Sequence, residues 1–163
     1  MSRILTDFMQ PQQESNWCWA AVGTSVGLFL ETGSWTQCDT ANACLGETDC
    51  CTTPAVCNVY GYLENSLDYT NSLASTTSTC TAAQLETEIN AGHPVCARVA
   101  WFTNGAHFMA MTGYSYPSTS PATVTVYLQD SIYGDTSMLF ADFARHYQSG
   151  GRWTTTYFTA PQP

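Results

Sequence analysis

Asn16-Trp-Cys18-Trp-Ala-Ala-Val-Gly23-Thr-Ser-Val-Gly27-Leu-Phe-Leu30 is the stretch on which the reading of this chain turns. Apolar residues run through it almost without a break, so it reads as a buried helix more than as an amphipathic surface one. Gly33 is placed to end it. Gly23 and Gly27 each cost a helix about 1 kcal/mol against Ala, and close packing against a neighbour accounts for them. Cys18 falls in the first turn, at the positive end of the helix dipole, where a thiolate is favoured over a thiol. A thiolate is a nucleophile. Most cysteines in apolar surroundings are structural, so Cys18 alone does not make a reactive site.

Outward from this helix, the N-terminal half reads as helical and the C-terminal half as strand-rich. Residues 38–58 read as a Cys-rich loop, followed by a short helix at Val59–Leu67 and a polar loop at Ser72–Thr79. Thr81-Ala-Ala-Gln84 has the form of a capping box opening a helix, with Leu85 and Ile89 inward and Gly92 and Pro94 at its end. Strands follow at Val95–Phe102, Ala106–Gly113 and Ala122–Gln129, the last two joined by the turn-like Tyr116-Pro-Ser-Thr-Ser-Pro121. A short helix is expected at Leu139–Tyr147 and a closing strand at Trp153–Thr159. Helix first and antiparallel sheet after is the order of an α+β domain. With no repeat or linker, the 163 residues form one domain, its helical, Cys-rich part at about 1–93 and its β-rich part at about 94–163.

Composition narrows the function. Charged residues make up 10% of the chain, Lys is absent, and the formal net charge is −9. Such a surface repels polyanions, which argues against nucleic acid and against anionic membranes as partners. No apolar run is long enough to span a bilayer. Six of the eight Cys (Cys38, Cys44, Cys50, Cys51, Cys57, Cys80) fall between residues 38 and 80. Their five-residue gaps lack the C-x-x-C pairing of zinc sites, and disulfides in an oxidising compartment are the better reading. Cys96 reads as a buried thiol, and the even number left permits three bridges in any of 15 connectivities. A secreted protein follows. The N-terminus, MSRILTDFMQPQQ, has no signal-peptide h-region, so it would be a mature form with an added Met1 or use another export route.

Three further residues give Cys18 its company. His107 starts an apolar strand and could take the thiol proton and return it to a leaving amine. Asp130 ends the next strand and could orient the imidazole, although alone it reads as a turn Asp. Gln12, six residues before Cys18, could join the Cys18 backbone N–H in an oxyanion hole; Gln13 is the alternative by register. His93 and His146 are weaker candidates for the base, since neither starts a strand that can face the Cys18 helix. Trp17, Trp19 and Trp101 read as core or as substrate subsites.

These residues resemble the papain-like cysteine peptidases: Gln12 six residues before Cys18-Trp19, His107 followed after five residues by Gly113-Tyr114, and Asp130-Ser131 one strand later. The chain is more closely similar to the small bacterial group that includes plant-pathogen avirulence effector proteases, in Ser15-Asn-Trp-Cys-Trp-Ala-Ala21, in Cys50-Cys51 with Cys57-Asn58, and in Gly92-His-Pro-Val-Cys96. In that group an Asp-Pro stands where this chain has Asp130-Ser131. The resemblance implies a central Cys-bearing helix packed on an antiparallel sheet or half-barrel. It implies a monomeric endopeptidase acting on protein or peptide substrates through Cys18, His107 and Asp130, with Gln12 in the oxyanion hole and no cofactor or metal. Cys44 and Cys80, which that group lacks, favour an extracellular place of work. A transglutaminase or protein deamidase using the same three residues is the first alternative. A disulfide-stapled binding module with Cys18 paired is the second.

Overall fold

The computed structural model describes residues 1–117 and 123–163. The expected strand start at Ala122 and most of the turn before it lie outside the described residues. A short strand β1 (Ser2–Ile4) precedes helix α1 (Cys18–Phe29), α2 (Gln37–Leu45), a 3-10 turn at Pro54–Cys57 and α3 (Leu63–Tyr69). Then come β2 (Leu73–Thr77), α4 (Ala82–Asn90), β3 (Val95–Trp101), β4 (Ala106–Ser115), β5 (Thr125–Asp130), β6 (Gly134–Leu139), α5 (Phe140–His146) and β7 (Gly151–Thr159). All seven strands join one antiparallel sheet of order β2-β7-β3-β4-β5-β6, with β1 paired to β4. The α+β architecture is the expected one.

Side chains alternate across the central strands, and each set enters a different core. Val95, Ala97, Val99, Met109, Met111 and Leu128 pack with Leu85 and Ile89 of α4, with Phe143 of α5 and with Tyr147 just past it. Cys96, Phe108, Ala110 and Tyr157 point the other way, into a core with Trp19, Val22 and Val26 of α1 and Leu63 and Leu67 of α3. Each fully buried Leu or Val stabilises the fold by about 1.5–3 kcal/mol. α1 has almost nothing but buried residues from Cys18 to Gly27, as its continuous apolar run requires. A Cβ on Gly23 would collide with Ser66 of α3, and one on Gly27 would lie 2.8 Å from Thr70 and Trp35. These two positions are therefore the seam where α1 meets α3, with Ser66 donating to the Trp19 carbonyl at 2.6 Å.

Two local expectations are corrected, and strand β6 stands where none was made. Part of the 38–58 loop is helix α2, which Thr36 caps by accepting from the Asp39 N–H; its mixed polar composition carries no apolar period. The polar loop at Ser72–Thr79 contains strand β2, an exposed Ser/Thr edge paired to β7 whose outward residues show no alternation. Strand β6, mostly exposed, was hidden for the same reason. The capping box at Thr81 and Gln84 is present.

The cysteines form two bridges, Cys38–Cys51 and Cys50–Cys57. Three bridges do not form, because Cys44 and Cys80 are free thiols, as are Cys18 and Cys96. The free state of Cys44 and Cys80 withdraws the support they lent to an extracellular place of work. Cys38, Asp39 and Cys51 are close enough together to suggest a metal cluster, but Cys38 and Cys51 are bonded to each other. Among the described residues no helix is long and apolar enough to cross a membrane.

Candidate active site

The nucleophile candidate is set by a clamp on the segment before α1. The Asn16 N–H donates to Asn58 Oδ1 at 2.8 Å, and Asn16 Nδ2 donates to the Asn58 carbonyl at 3.0 Å. Both flanking indoles reach the same segment: Trp17 Nε1 donates to the Cys57 carbonyl and Trp19 Nε1 to that of Val59. Cys57 is itself fixed by its disulfide to Cys50. The Cys-rich region thus holds Cys18 at the head of α1, buried but facing a cavity. As the first residue of α1, its backbone N–H has no partner within the helix.

His107 and Asp130 come together from adjacent strands β4 and β5. His107 Nε2 lies 2.9 Å from both carboxylate oxygens of Asp130. Asp130 Oδ1 also accepts the backbone N–H groups of Ile132 (2.7 Å) and Tyr133 (3.0 Å), so the carboxylate is at once a turn former and a partner of the ring. Tyr147 Oη donates to Oδ2 at 2.7 Å. With Nε2 committed, Nδ1 is the ring nitrogen left for Cys18, and Cys18 and His107 line one cavity with Asn16, Asn104 and Tyr133. Trp101 stacks on the imidazole, with ring centroids 5.8 Å apart and planes inclined by 16°.

The electrostatics follow from these contacts. Burial works to lower the His107 pKa, but the hydrogen bonds and charges of Asp130 and Cys18 outweigh it and raise the value from 6.5 to about 9. Burial works to raise the Asp130 pKa, yet His107 and the two backbone N–H groups leave it below its ordinary value. The pair therefore favours imidazolium and carboxylate at neutral pH.

Gln12 is held between the two halves of the site. Its backbone N–H donates to the Ser131 carbonyl at 3.1 Å, and its Oε1 accepts from Ser131 Oγ at 2.8 Å. Its Nε2 donates to the carbonyls of Glu14 (3.1 Å) and Ser15 (2.8 Å). Gln13 is exposed, and its N–H donates to Gln37 Oε1. The other histidines lie elsewhere: His93 meets Glu88 at 3.3 Å and His146 lies 3.8 Å from Asp142. A cleft of about 530 Å³ runs from Cys18 past Trp19 and Trp101, with Tyr60 and Tyr62 on its rim. Sequence reasoning missed Tyr147, Tyr133 and the Tyr60–Tyr62 rim. An aromatic just past a short helix or in a loop carries no signal of which distant group it will meet.

The family model described as papain-like cysteine protease AvrRpt2 matches residues 2–148, a span that includes Gln12, Cys18, His107 and Asp130. Comparison with the curated proteins finds no match.

Proposed function

The chain belongs to the papain-like cysteine protease AvrRpt2 family, and on that premise we propose that it is a secreted, single-domain cysteine endopeptidase whose nucleophile is Cys18, whose acid–base residue is His107 and whose orienting carboxylate is Asp130. The observation that carries this reading is the buried His107–Asp130 pair, at 2.9 Å, with the second ring nitrogen left for Cys18.

In this reading the imidazolium, kept protonated by Asp130, stands beside a Cys18 thiolate. Sγ attacks the peptide carbonyl, and the carbonyl oxygen takes the negative charge. The Cys18 backbone N–H stabilises that oxyanion, and Gln12 Nε2 joins it by exchanging one of its two loop carbonyls for the substrate. The intermediate collapses as His107 gives its proton to the leaving amine. The neutral imidazole then takes a proton from water, whose oxygen attacks the thioester and frees Cys18. The cleft supports a peptidase over a deamidase, because rim residues Tyr60 and Tyr62 are 75% and 69% exposed and leave room for a polypeptide backbone. Secretion draws support from the Cys38–Cys51 and Cys50–Cys57 bridges, which persist only in oxidising surroundings.

Hydrolysis of a denatured protein substrate tests the assignment. Cys18→Ala and His107→Ala should each abolish it while circular dichroism remains that of the native protein. Iodoacetamide at mildly acidic pH should label Cys18 ahead of Cys44, Cys80 and Cys96. Full activity in either variant would refute the roles of Cys18 and His107.

A further inference from the structure

Arg98 is one of four Arg in a chain that has no Lys and a formal net charge of −9. It lies on β3, paired across the sheet with Phe108, on the face turned toward α1. That face forms one wall of the cleft beside Cys18; Trp19, Gly61 and Tyr62 form the other. The half-buried guanidinium meets a neutral side chain: Nη1 donates to Thr154 Oγ1 at 2.9 Å. Among the described residues the ion pairs join His93 to Glu88, His107 to Asp130 and His146 to Asp142, and none involves Arg98. The Tyr157 phenol, pushed up chiefly by burial, feels Glu64 and Arg98 in opposite senses, yet those two form no ion pair with each other.

A guanidinium carries five N–H donors and prefers a carboxylate, taken bidentately. Set in a cleft whose other lining residues carry no carboxylate, it can pair with a charge that the substrate would bring. We propose that Arg98 is a specificity-determining residue, and that the cleft beside Cys18 selects a substrate segment carrying an acidic side chain, with Glu favoured for reach. The inference rests on the peptidase reading and deepens it by naming a substrate class. The negative surface as a whole disfavours acidic peptides at long range, where salt screens it; Arg98 acts at contact distance. A charge-assisted pair in such a site amounts to about tenfold to hundredfold in kcat/KM for Glu over Gln.

The test is irreversible labelling of Cys18 by peptidyl acyloxymethyl ketones carrying Glu, Gln, Phe or Lys at each of the three positions before the electrophile. The wild-type protein should react fastest with Glu at one of these positions, by about tenfold or more over Gln. Arg98→Lys should keep the preference in weaker form, Arg98→Met should lose it, and Arg98→Glu should favour Lys instead. A misfolded variant cannot acquire that reversed preference. If Cys18 reacts with iodoacetamide but the wild type does not prefer Glu, the inference fails while the nucleophile reading stands. Equal preference for Glu in wild type and Arg98→Met also overturns it. A preference for Phe that Arg98→Met removes would mark Arg98 as a stacking surface and overturn the acidic assignment. Failure of Cys18 to react with any reagent would bring down the peptidase roles, and this inference with them.

Discussion

Replacing Asp130 by Asn keeps the side chain's shape and removes its charge. In the native site, that carboxylate is a main cause of the rise in the His107 pKa from 6.5 to about 9. The rise corresponds to roughly 3 kcal/mol favouring the imidazolium. Without the charge, burial acts against the cation, and the value should fall to 6.5 or below. At pH 8 an imidazole of pKa about 9 is about nine-tenths protonated, and one of 6.5 about 3% protonated. With the value at about 6.5, Asp130→Asn should therefore slow peptide cleavage by roughly 30-fold at pH 8 but by less than twofold at pH 6, and by more at both if burial takes it lower. The assay is kcat/KM across pH 5–10 for both proteins, with thermal melts in the same buffers. The basic limb should move from near pH 9 to below about 7. The melts carry the same sign. A raised His107 pKa contributes stability that is fully present below 6.5 and lost as pH rises through about 9. A lowered Asp130 pKa contributes stability present above 3.8 and lost as pH falls below it. The native protein should melt highest between these ranges, and the variant should lose the alkaline decline. A basic limb unchanged in Asp130→Asn would refute the argument that Asp130 holds the His107 proton.

Tyr147→Phe removes the hydroxyl that donates to Asp130 Oδ2; stability should drop by about 1.5–3 kcal/mol, read as a lower Tm, while the basic limb stays near pH 9 because the carboxylate charge remains. Gly61→Ala places a Cβ 2.5 Å from the Trp19 indole at the cleft wall; cleavage kinetics should show a raised KM, from overpacking of about 1–3 kcal/mol, with Cys18 still alkylated by iodoacetamide. Reduction of Cys38–Cys51 and Cys50–Cys57, which close sequence separations of 13 and 7, should lower the Tm, each bridge contributing about 2–3 kcal/mol. Activity should fall with it, because Cys57–Val59 holds Asn16, Trp17 and Trp19 on either side of Cys18; a Cys50→Ser/Cys57→Ser protein with unchanged melting and unchanged cleavage would contradict this.

The N-terminal helix, the capping box at Thr81, the three core strands and the α5 segment were legible because each is a local pattern: a continuous apolar run, a reciprocal cap, an alternation. Cys18, His107 and Asp130 stood out as candidates through their places at a helix start and at strand ends and through the resemblance they carry, and the fold brings His107 and Asp130 to hydrogen-bond distance. Helix α2 and strands β2 and β6 were not, since Ser, Thr and Asn on a solvated face give no period to read.

The sequence by itself thus determined the α+β order, the buried helix that opens at Cys18, and the residue types from which a thiol site can be built. Only the tertiary structure decided which cysteines pair, leaving Cys44 and Cys80 as thiols. It also decided that Tyr147 meets Asp130, that Gln12 bridges to Ser131, and that Arg98 faces the cleft with no carboxylate partner among the described residues. The physical reason is range. Periodicity, caps and dipoles act within one or two turns of the chain, whereas a side chain's partner across the core depends on how distant elements pack, which no single segment encodes.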